Sequence, residues 1–217
     1  MAYDLAMPTL IVVDLQNDFL PGGALAVPHG DETVAVANAV MDRFTRVVAT
    51  QDWHPRAHGS FAANQSGRAP GEVIELGGVV QVLWPVHCVQ GTPGAEFAPG
   101  LQVERFTRVF VKGTDPGVDS YSGFFDNDRR SATGLGDHLL EIGETEVAVL
   151  GLATDYCVKA TALDAHRLGL RVRLIVDGCR AVELQPGDGE RAIAEMLAAG
   201  IEVVTSAELL AERSASV

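Results

Sequence analysis

The sequence predicts a three-layer α/β/α protein built on a doubly wound, six-stranded parallel sheet. Two observations carry this expectation. Short apolar runs recur along the chain, separated by amphipathic helical patterns and polar, glycine-rich turns. One of them, beginning at Val147 and running to the turn at Gly151, is apolar without alternation, the mark of a strand buried on both faces between two helix layers. Strands alternating with helices in this way imply parallel pairing and, in the common doubly wound arrangement, the strand order 3-2-1-4-5-6.

The elements follow in order. Residues 9–14 form the first strand, which ends on Asp14 and opens into the long polar loop 15–23. Asp14 is either a turn cap or a site residue at the carboxyl end of a central strand, where open sheets build their sites. Phe19, within that loop, either faces a ligand or pins the loop down. Residues 31–43 are helical: Asp31 suits the N-cap, and Val34, Ala37, Val40, Met41 and Phe44 share one face. Residues 46–50 are the second strand. The stretch at about 51–100 has little periodicity and is expected to be one long loop, which inside a compact domain is usually functional or held by something.

The third strand, 109–112, ends on Lys112 and leads into the loop 113–123. A short helix carries Leu135, Leu139, Leu140 and Ile142 and closes at Gly143. The central strand beginning at Val147 is followed by a tight turn at Gly151 to Asp155 and a helix running to Leu168. Residues 171–177 are the fifth strand, 189–199 a helix with Gly200 as its C-terminal signal, 201–205 the sixth strand, and a last helix starts at Ala207. Asp177 is expected in a turn, Cys88 and Cys179 in the core, and residues 214–217 frayed.

Composition narrows the function. A length of 217 residues suits one domain with a full core. Residues 1–8 lack a basic segment followed by a long apolar one, and no apolar run approaches the roughly 18 residues of a membrane span. Neither a secretion signal nor a membrane segment is expected. Three cysteines, an odd number without close pairing, suit a reducing, cytoplasmic setting. A net charge of −13 argues against nucleic acid and anionic membranes as partners.

Chemistry concentrates at a few positions. Cys157 sits in the first turn of a helix beyond a central strand, where free backbone N–H groups and the helix dipole favour a thiolate. A partly buried Lys112 needs a carboxylate, and Asp14 is the obvious partner. Asp52 and His54 alternate on an extended segment and so project to one side, a pairing that suits Zn²⁺, Mn²⁺ or Fe²⁺. A third ligand is available from His58, otherwise a solvated loop histidine, or from His87, fixed among Trp84, Pro85 and Cys88. Tyr121 and Phe124 either close a pocket or pack their loop.

Five separated motifs, Val13-Asp-Leu-Gln-Asn-Asp-Phe19, Gln51-Asp-Trp-His54, Trp84-Pro-Val-His-Cys88, Val111-Lys-Gly113 and Gly151-Leu-Ala-Thr-Asp-Tyr-Cys-Val158, resemble those of the isochorismatase-like cysteine hydrolases, and within them the nicotinamidase (pyrazinamidase) branch. The resemblance spans residues 9 to about 205 and implies one such domain over residues 1–217. It implies Asp14, Lys112 and Cys157 as a catalytic triad, and Asp52, His54 and His87 as ligands of one divalent metal ion, with His58 a possible further ligand. It also implies a cis peptide before Ala153, an oxyanion hole of the Ala153 and Cys157 N–H groups, and a substrate ring flanked by Phe19, Trp84, Tyr121 and Tyr156. The implied activity is hydrolysis of nicotinamide to nicotinate and ammonia through a thioester, in NAD salvage, with pyrazinamide as a further substrate and a homo-oligomer left open. The alternatives are a metal-independent amidase for carbamoyl or maleamate-type substrates, disfavoured by Asp52, His54 and His87; a vinyl-ether hydrolase, disfavoured by Cys157; and a non-catalytic binding module, disfavoured by the retained triad.

Overall fold

The computed structural model describes residues 8–212; the expected fraying at 214–217 and most of the N-terminal segment lie outside that range. Six strands form one parallel sheet: β1 (Thr9–Val13), β2 (Val47–Asp52), β5 (Phe106–Lys112), β6 (Glu146–Leu152), β7 (Arg171–Arg180) and β8 (Glu202–Val204). Their spatial order is β5-β2-β1-β6-β7-β8, the predicted 3-2-1-4-5-6. Every residue of β1 is buried, as are residues 147–152 of β6, which is why these two strands read as unbroken apolar runs. Helix α1 (Glu32–Met41) packs with α5 (Ser206–Ala211) and over β7, while α3 (Lys159–Arg167) packs with α4 (Asp188–Ala198). A further helix, α2 (Leu135–Glu141), brings His138 against the Phe110 ring of β5. The order in which strands are added across the sheet reverses between β1 and β6, so the carboxyl ends of these two parallel strands flank the crevice where such sheets carry their sites.

Several local expectations need correction. The stretch 51–100 is not a single loop, because it contains an antiparallel hairpin of β3 (Val73–Leu76) and β4 (Val79–Val82). Its turn is Gly77-Gly78, with φ of 61° and 84°, the pair of positive values that a two-residue hairpin turn demands. Asp177 lies inside β7 rather than in a turn, and its carboxylate accepts the backbone N–H (2.8 Å) and hydroxyl (2.5 Å) of Ser206, tying β7 to the start of α5. Asp31 precedes α1 without a side-chain cap bond. Cys88 and Cys179 are buried and unpaired, as expected, and Phe124 belongs to the core. Among the described residues no helix is long and apolar enough to cross a membrane.

Candidate active site

The carboxyl ends of β1, β2, β5 and β6 bring Asp14, Asp52, Lys112 and Cys157 together. The chain leaves β1 abruptly: Asp14 adopts φ 49°, a left-handed conformation that aspartate tolerates, and its carbonyl accepts the Gln16 N–H at 2.8 Å. After β6 comes a cis peptide at Leu152–Ala153, then a wide turn over Thr154–Val158 in which the Val158 N–H reaches back to the Ala153 carbonyl at 3.0 Å. Cys157 sits in that turn, directly before α3. The Asp155 carboxylate fastens the turn by accepting the Val182 and Glu183 N–H groups at 3.0 and 2.9 Å.

Lys112 is the hub. Its Nζ lies 2.9 Å from Asp14 Oδ2, 2.5 Å from Asp52 Oδ1, 2.9 Å from the Ser120 carbonyl and 3.4 Å from Cys157 Sγ, and it is wholly buried. The Cys157 sulfur and one oxygen each of Asp14 and Asp52 all lie within 4.8 Å of one another. Asp14 is the expected partner of Lys112, but Asp52 is a second, brought alongside because it pairs with Lys112 in the β2–β5 register. Thr50 donates to Asp14 Oδ1 at 2.6 Å, whereas Oδ2 faces the ammonium without a well-aligned hydrogen bond and keeps its lone pairs available.

Charge in this cluster is governed by burial. Burial would favour a neutral Lys112 amine, but Asp14 and Asp52, helped by Cys157, outweigh it and hold the ammonium charged. Burial raises the Asp14 pKa, with Lys112 opposing and Asp52 adding, so this carboxylate is a stronger base than a surface aspartate. Burial also pushes the Cys157 thiol well above its ordinary value; Lys112 opposes, and the two carboxylates add to the rise. The thiolate expected from the helix start is therefore not the resting form. The dipole acts over one turn of exposed backbone, whereas here the sulfur is enclosed, and the thiol needs a base beside it.

Next to this cluster, Asp52 Oδ2 faces His54 Nε2 at 3.4 Å and His87 Nε2 at 3.6 Å. Both imidazoles are oriented from behind: His54 Nδ1 lies 2.9 Å from the Gly113 carbonyl and His87 Nδ1 2.8 Å from that of Pro85. Such backing leaves each Nε2 free toward a common centre, and the three ligand atoms fall within 4.8 Å of one another. Gly113 has to be glycine, since φ is 65° and a Cβ would sit 2.4 Å from the His54 ring. Two imidazoles and a carboxylate fit a divalent Zn, Mn or Fe ion. His58 is not the solvated loop residue considered above. It is fully buried, its ring 4.3 Å from that of His54, with Nδ1 2.7 Å from the Ser60 hydroxyl and Nε2 3.2 Å from the Val118 carbonyl. Both nitrogens have partners within the protein, and His58 also forms with His54 and Asp119 a second group whose ligand atoms lie within 4.8 Å of one another.

A narrow cavity of about 30 Å³ opens onto Cys157, Ala153, Asp52, His54 and His87. Phe19, Trp84, Tyr121 and Tyr156 all line it. The rings support one another: Trp84–Tyr156 at 4.8 Å and Tyr121–Tyr156 at 5.3 Å meet edge to face, and Phe19 lies 5.5 Å from the His87 ring. Burial holds the Tyr156 phenol up at about 12, so it stays protonated.

Two contributors were not singled out from the sequence. Asp119 lines the cavity, although only its loop was marked as site-like. Gln16 is fully buried; its amide accepts the Asp52 N–H and donates to the Asp52 carbonyl, both at 2.8 Å, so it continues the β1–β2 pairing past the last strand residue. Gln16→Leu leaves those backbone groups unpaired, which costs about 1–3 kcal/mol. It also loosens the residue that serves both Lys112 and the histidines. Metal retention through dialysis, read by elemental analysis, is expected to weaken by roughly 10–100-fold. Undiminished retention would show that Asp52 is held in place without it.

Fold and site together define an α/β hydrolase of the isochorismatase type. The sequence matches the Isochorismatase domain over residues 8–208, and the chain belongs to that family. It is 53% identical over 203 residues to a nicotinamidase of Escherichia coli, covering 92% of this chain and 95% of that protein. Its structure is similar to an Acinetobacter baumannii nicotinamidase/pyrazinamidase, with a TM-score of 0.91, 44% identity, and coverage of 95% of this chain and 99% of the other. It is also similar to a Pyrococcus horikoshii pyrazinamidase solved in complex with zinc, with a TM-score of 0.74, 39% identity and coverage of 92% and 99%.

Proposed function

We propose that this protein hydrolyses nicotinamide to nicotinate and ammonia, with pyrazinamide as a second substrate, and so serves the salvage of the pyridine ring for NAD. The observation that carries the reading is a buried thiol 3.4 Å from an ammonium and beside a carboxylate, opening into an aromatic cavity that also holds an Asp-His-His cluster. The names of the relatives at 53% and 44% identity support the same substrate. Free thiols at Cys88, Cys157 and Cys179 support a reducing, cytoplasmic setting.

An amide is a weak electrophile with a poor leaving group, and covalent catalysis divides the difficulty into two steps. Asp14 takes the Cys157 proton, and the sulfur adds to the carboxamide carbon. The carbonyl electron pair moves onto oxygen, where the Ala153 and Cys157 N–H groups receive it; one such donor contributes about 3–4 kcal/mol to a transition state. Protonated Asp14 delivers its proton to the nitrogen, the C–N bond breaks, and ammonia leaves a thioester. Asp14 then removes a proton from water as the oxygen adds to the thioester carbon. Collapse releases nicotinate and the Cys157 sulfur, which recovers the proton. Lys112 stays charged throughout and lowers the cost of negative charge on sulfur.

Asp52, His54 and His87 would hold a divalent metal, which supplies a Lewis-acidic anchor for the pyridine nitrogen, directly or through water. Phe19, Trp84, Tyr121 and Tyr156 enclose the ring and set the carboxamide against the sulfur.

The test is ammonia release from nicotinamide by the purified protein, with a maleamate-type amide as one comparison substrate and isochorismate, followed by pyruvate release, as the other. Release from nicotinamide and pyrazinamide alone is expected; preference for either comparison substrate would overturn the assignment. Chelation is expected to raise the Michaelis constant at least about tenfold while changing kcat less, because the anchor acts in binding. An unchanged Michaelis constant in verified metal-free protein would remove the anchoring role.

A further inference from the structure

Gln81 stands out because it is wholly buried in a hairpin whose neighbouring residues Val73 and Val80 are 55% and 79% exposed. A buried amide on such a ribbon must have partners, and these lead directly to the cavity wall. Its Nε2 lies 2.8 Å from Asp119 Oδ2, 2.9 Å from the Tyr121 hydroxyl and 2.7 Å from the Val82 carbonyl. Its Oε1 accepts from Asn127 Nδ2 at 3.3 Å. Asn127 in turn accepts the Tyr121 N–H on its side-chain oxygen at 3.0 Å and donates its own N–H to the Asp119 carbonyl at 2.7 Å. The Tyr121 hydroxyl also receives the Trp84 indole N–H at 3.2 Å.

We infer that Gln81 and Asn127 are positioning residues that clamp the stretch 119–121 as a wall of the substrate cavity and so set how tightly the aromatic ring of the substrate is held. The inference rests on the amide-hydrolase reading above. Neither amide lines the cavity, whereas Asp119, Tyr121 and Trp84 all do. The clamp comes from two segments remote in sequence, a hairpin strand and a loop, and closes on three consecutive residues. The middle one, Ser120, gives its carbonyl to Lys112 at 2.9 Å, and that anchor is independent of either amide. Loss of the clamp therefore frees the cavity-lining side chains of Asp119 and Tyr121 while the Lys112–Cys157 geometry, held by the strand ends, persists. With its hydroxyl held between Gln81 Nε2 and the Trp84 indole N–H, the Tyr121 ring is fixed edge to face against Tyr156.

The inference predicts a split in the kinetic constants. Gln81→Leu, close in volume but without the amide, is expected to raise the Michaelis constant for nicotinamide about tenfold and to change kcat by less than about threefold. Tyr121→Phe is expected to act in the same direction, and Gln81→Leu/Tyr121→Phe to fall short of the product of the single effects, since the Gln81–Tyr121 contact is lost in both. Asn127→Ser, which shortens the second amide, is expected to raise the Michaelis constant by a smaller factor and serves if Gln81→Leu does not fold. A lower melting temperature with both kinetic constants unmoved, or multiplicative effects in the double variant, would overturn the inference. These failures are distinct from failure of the functional reading. If the unmodified protein releases ammonia from nicotinamide and Gln81→Leu does so with an unchanged Michaelis constant, only the clamp is wrong. If the unmodified protein releases none, the substrate assignment falls and the clamp with it.

Discussion

Cys157→Ala is expected to lower ammonia release from nicotinamide by at least about 10³–10⁴-fold while leaving the fold and the metal content intact. The magnitude follows from how much of the barrier the sulfur carries. Without it the only nucleophile is water, which must attack an unactivated amide in one step, and what remains is the contribution of binding and the backbone N–H groups. The alanine occupies less space than the thiol and touches the same neighbours, and the Lys112 ammonium keeps both of its carboxylate partners, so stability changes little. Cys157→Ser is expected to lose nearly as much activity. A hydroxyl is far less acidic than a thiol, and a carboxylate, even one whose pKa is raised as that of Asp14 is, is too weak a base to activate it. Acid-quenching the unmodified enzyme during turnover should trap an acyl group on the peptide that contains Cys157. Undiminished activity in the alanine variant would end the thioester route, whatever the substrate proves to be.

What was legible in the sequence and what was not divide along a physical line. The β1 and β6 runs were readable because strands buried on both faces need apolar side chains at every position, a requirement that leaves its mark locally. Asp14 and Cys157 were readable because they stand at the carboxyl end of such a strand and in the turn after one; Lys112 ends β5, a mostly exposed edge strand, and was readable only from the apolar run before it and the polar, glycine-rich loop after it. The β3–β4 hairpin was missed although Gly77-Gly78 between two β-branched segments is a hairpin signal; its faces are unevenly covered, with Val80 exposed and Gln81 buried, so no simple alternation announces it. Asp52 as a partner of Lys112 depends on the β2–β5 register, which no local pattern encodes. For His58, spacing brings the ring near His54, but only packing decides that both of its nitrogens are used internally. The thiolate expectation failed for a related reason. A helix start is visible in a dozen residues, whereas enclosure of the sulfur is a property of the whole fold, and enclosure dominates.

That dominance sets up the second large effect, at Lys112. Lys112→Met removes the only cation that faces Asp14 Oδ2 and Asp52 Oδ1 within salt-bridge distance among the described residues, and leaves two carboxylates buried near each other. Removing one partner of a buried pair costs about 3–5 kcal/mol, which for a domain of this size lowers the melting temperature by roughly 10 °C. The penalty should depend on pH, and its sign can be worked out. Lys112 is the main influence that lowers the Asp14 pKa; without it burial and Asp52 remain, and both raise it. A carboxyl group whose folded pKa exceeds its unfolded value, near 4, binds more protons when folded. Its favourable contribution is complete below the unfolded value and disappears as pH rises through the folded one. The deficit of Lys112→Met relative to the unmodified protein should therefore be largest at about pH 8 and shrink toward about pH 5. Melting curves on chelated protein are the proper comparison, since a cation on the other Asp52 oxygen would partly replace the ammonium. Activity should fall at least about 10³-fold at neutral pH, because an Asp14 that already carries a proton cannot accept the one on Cys157. A deficit independent of pH, or a variant that still turns over, would mean that the charge on this buried amine is not what keeps Asp14 available as a base.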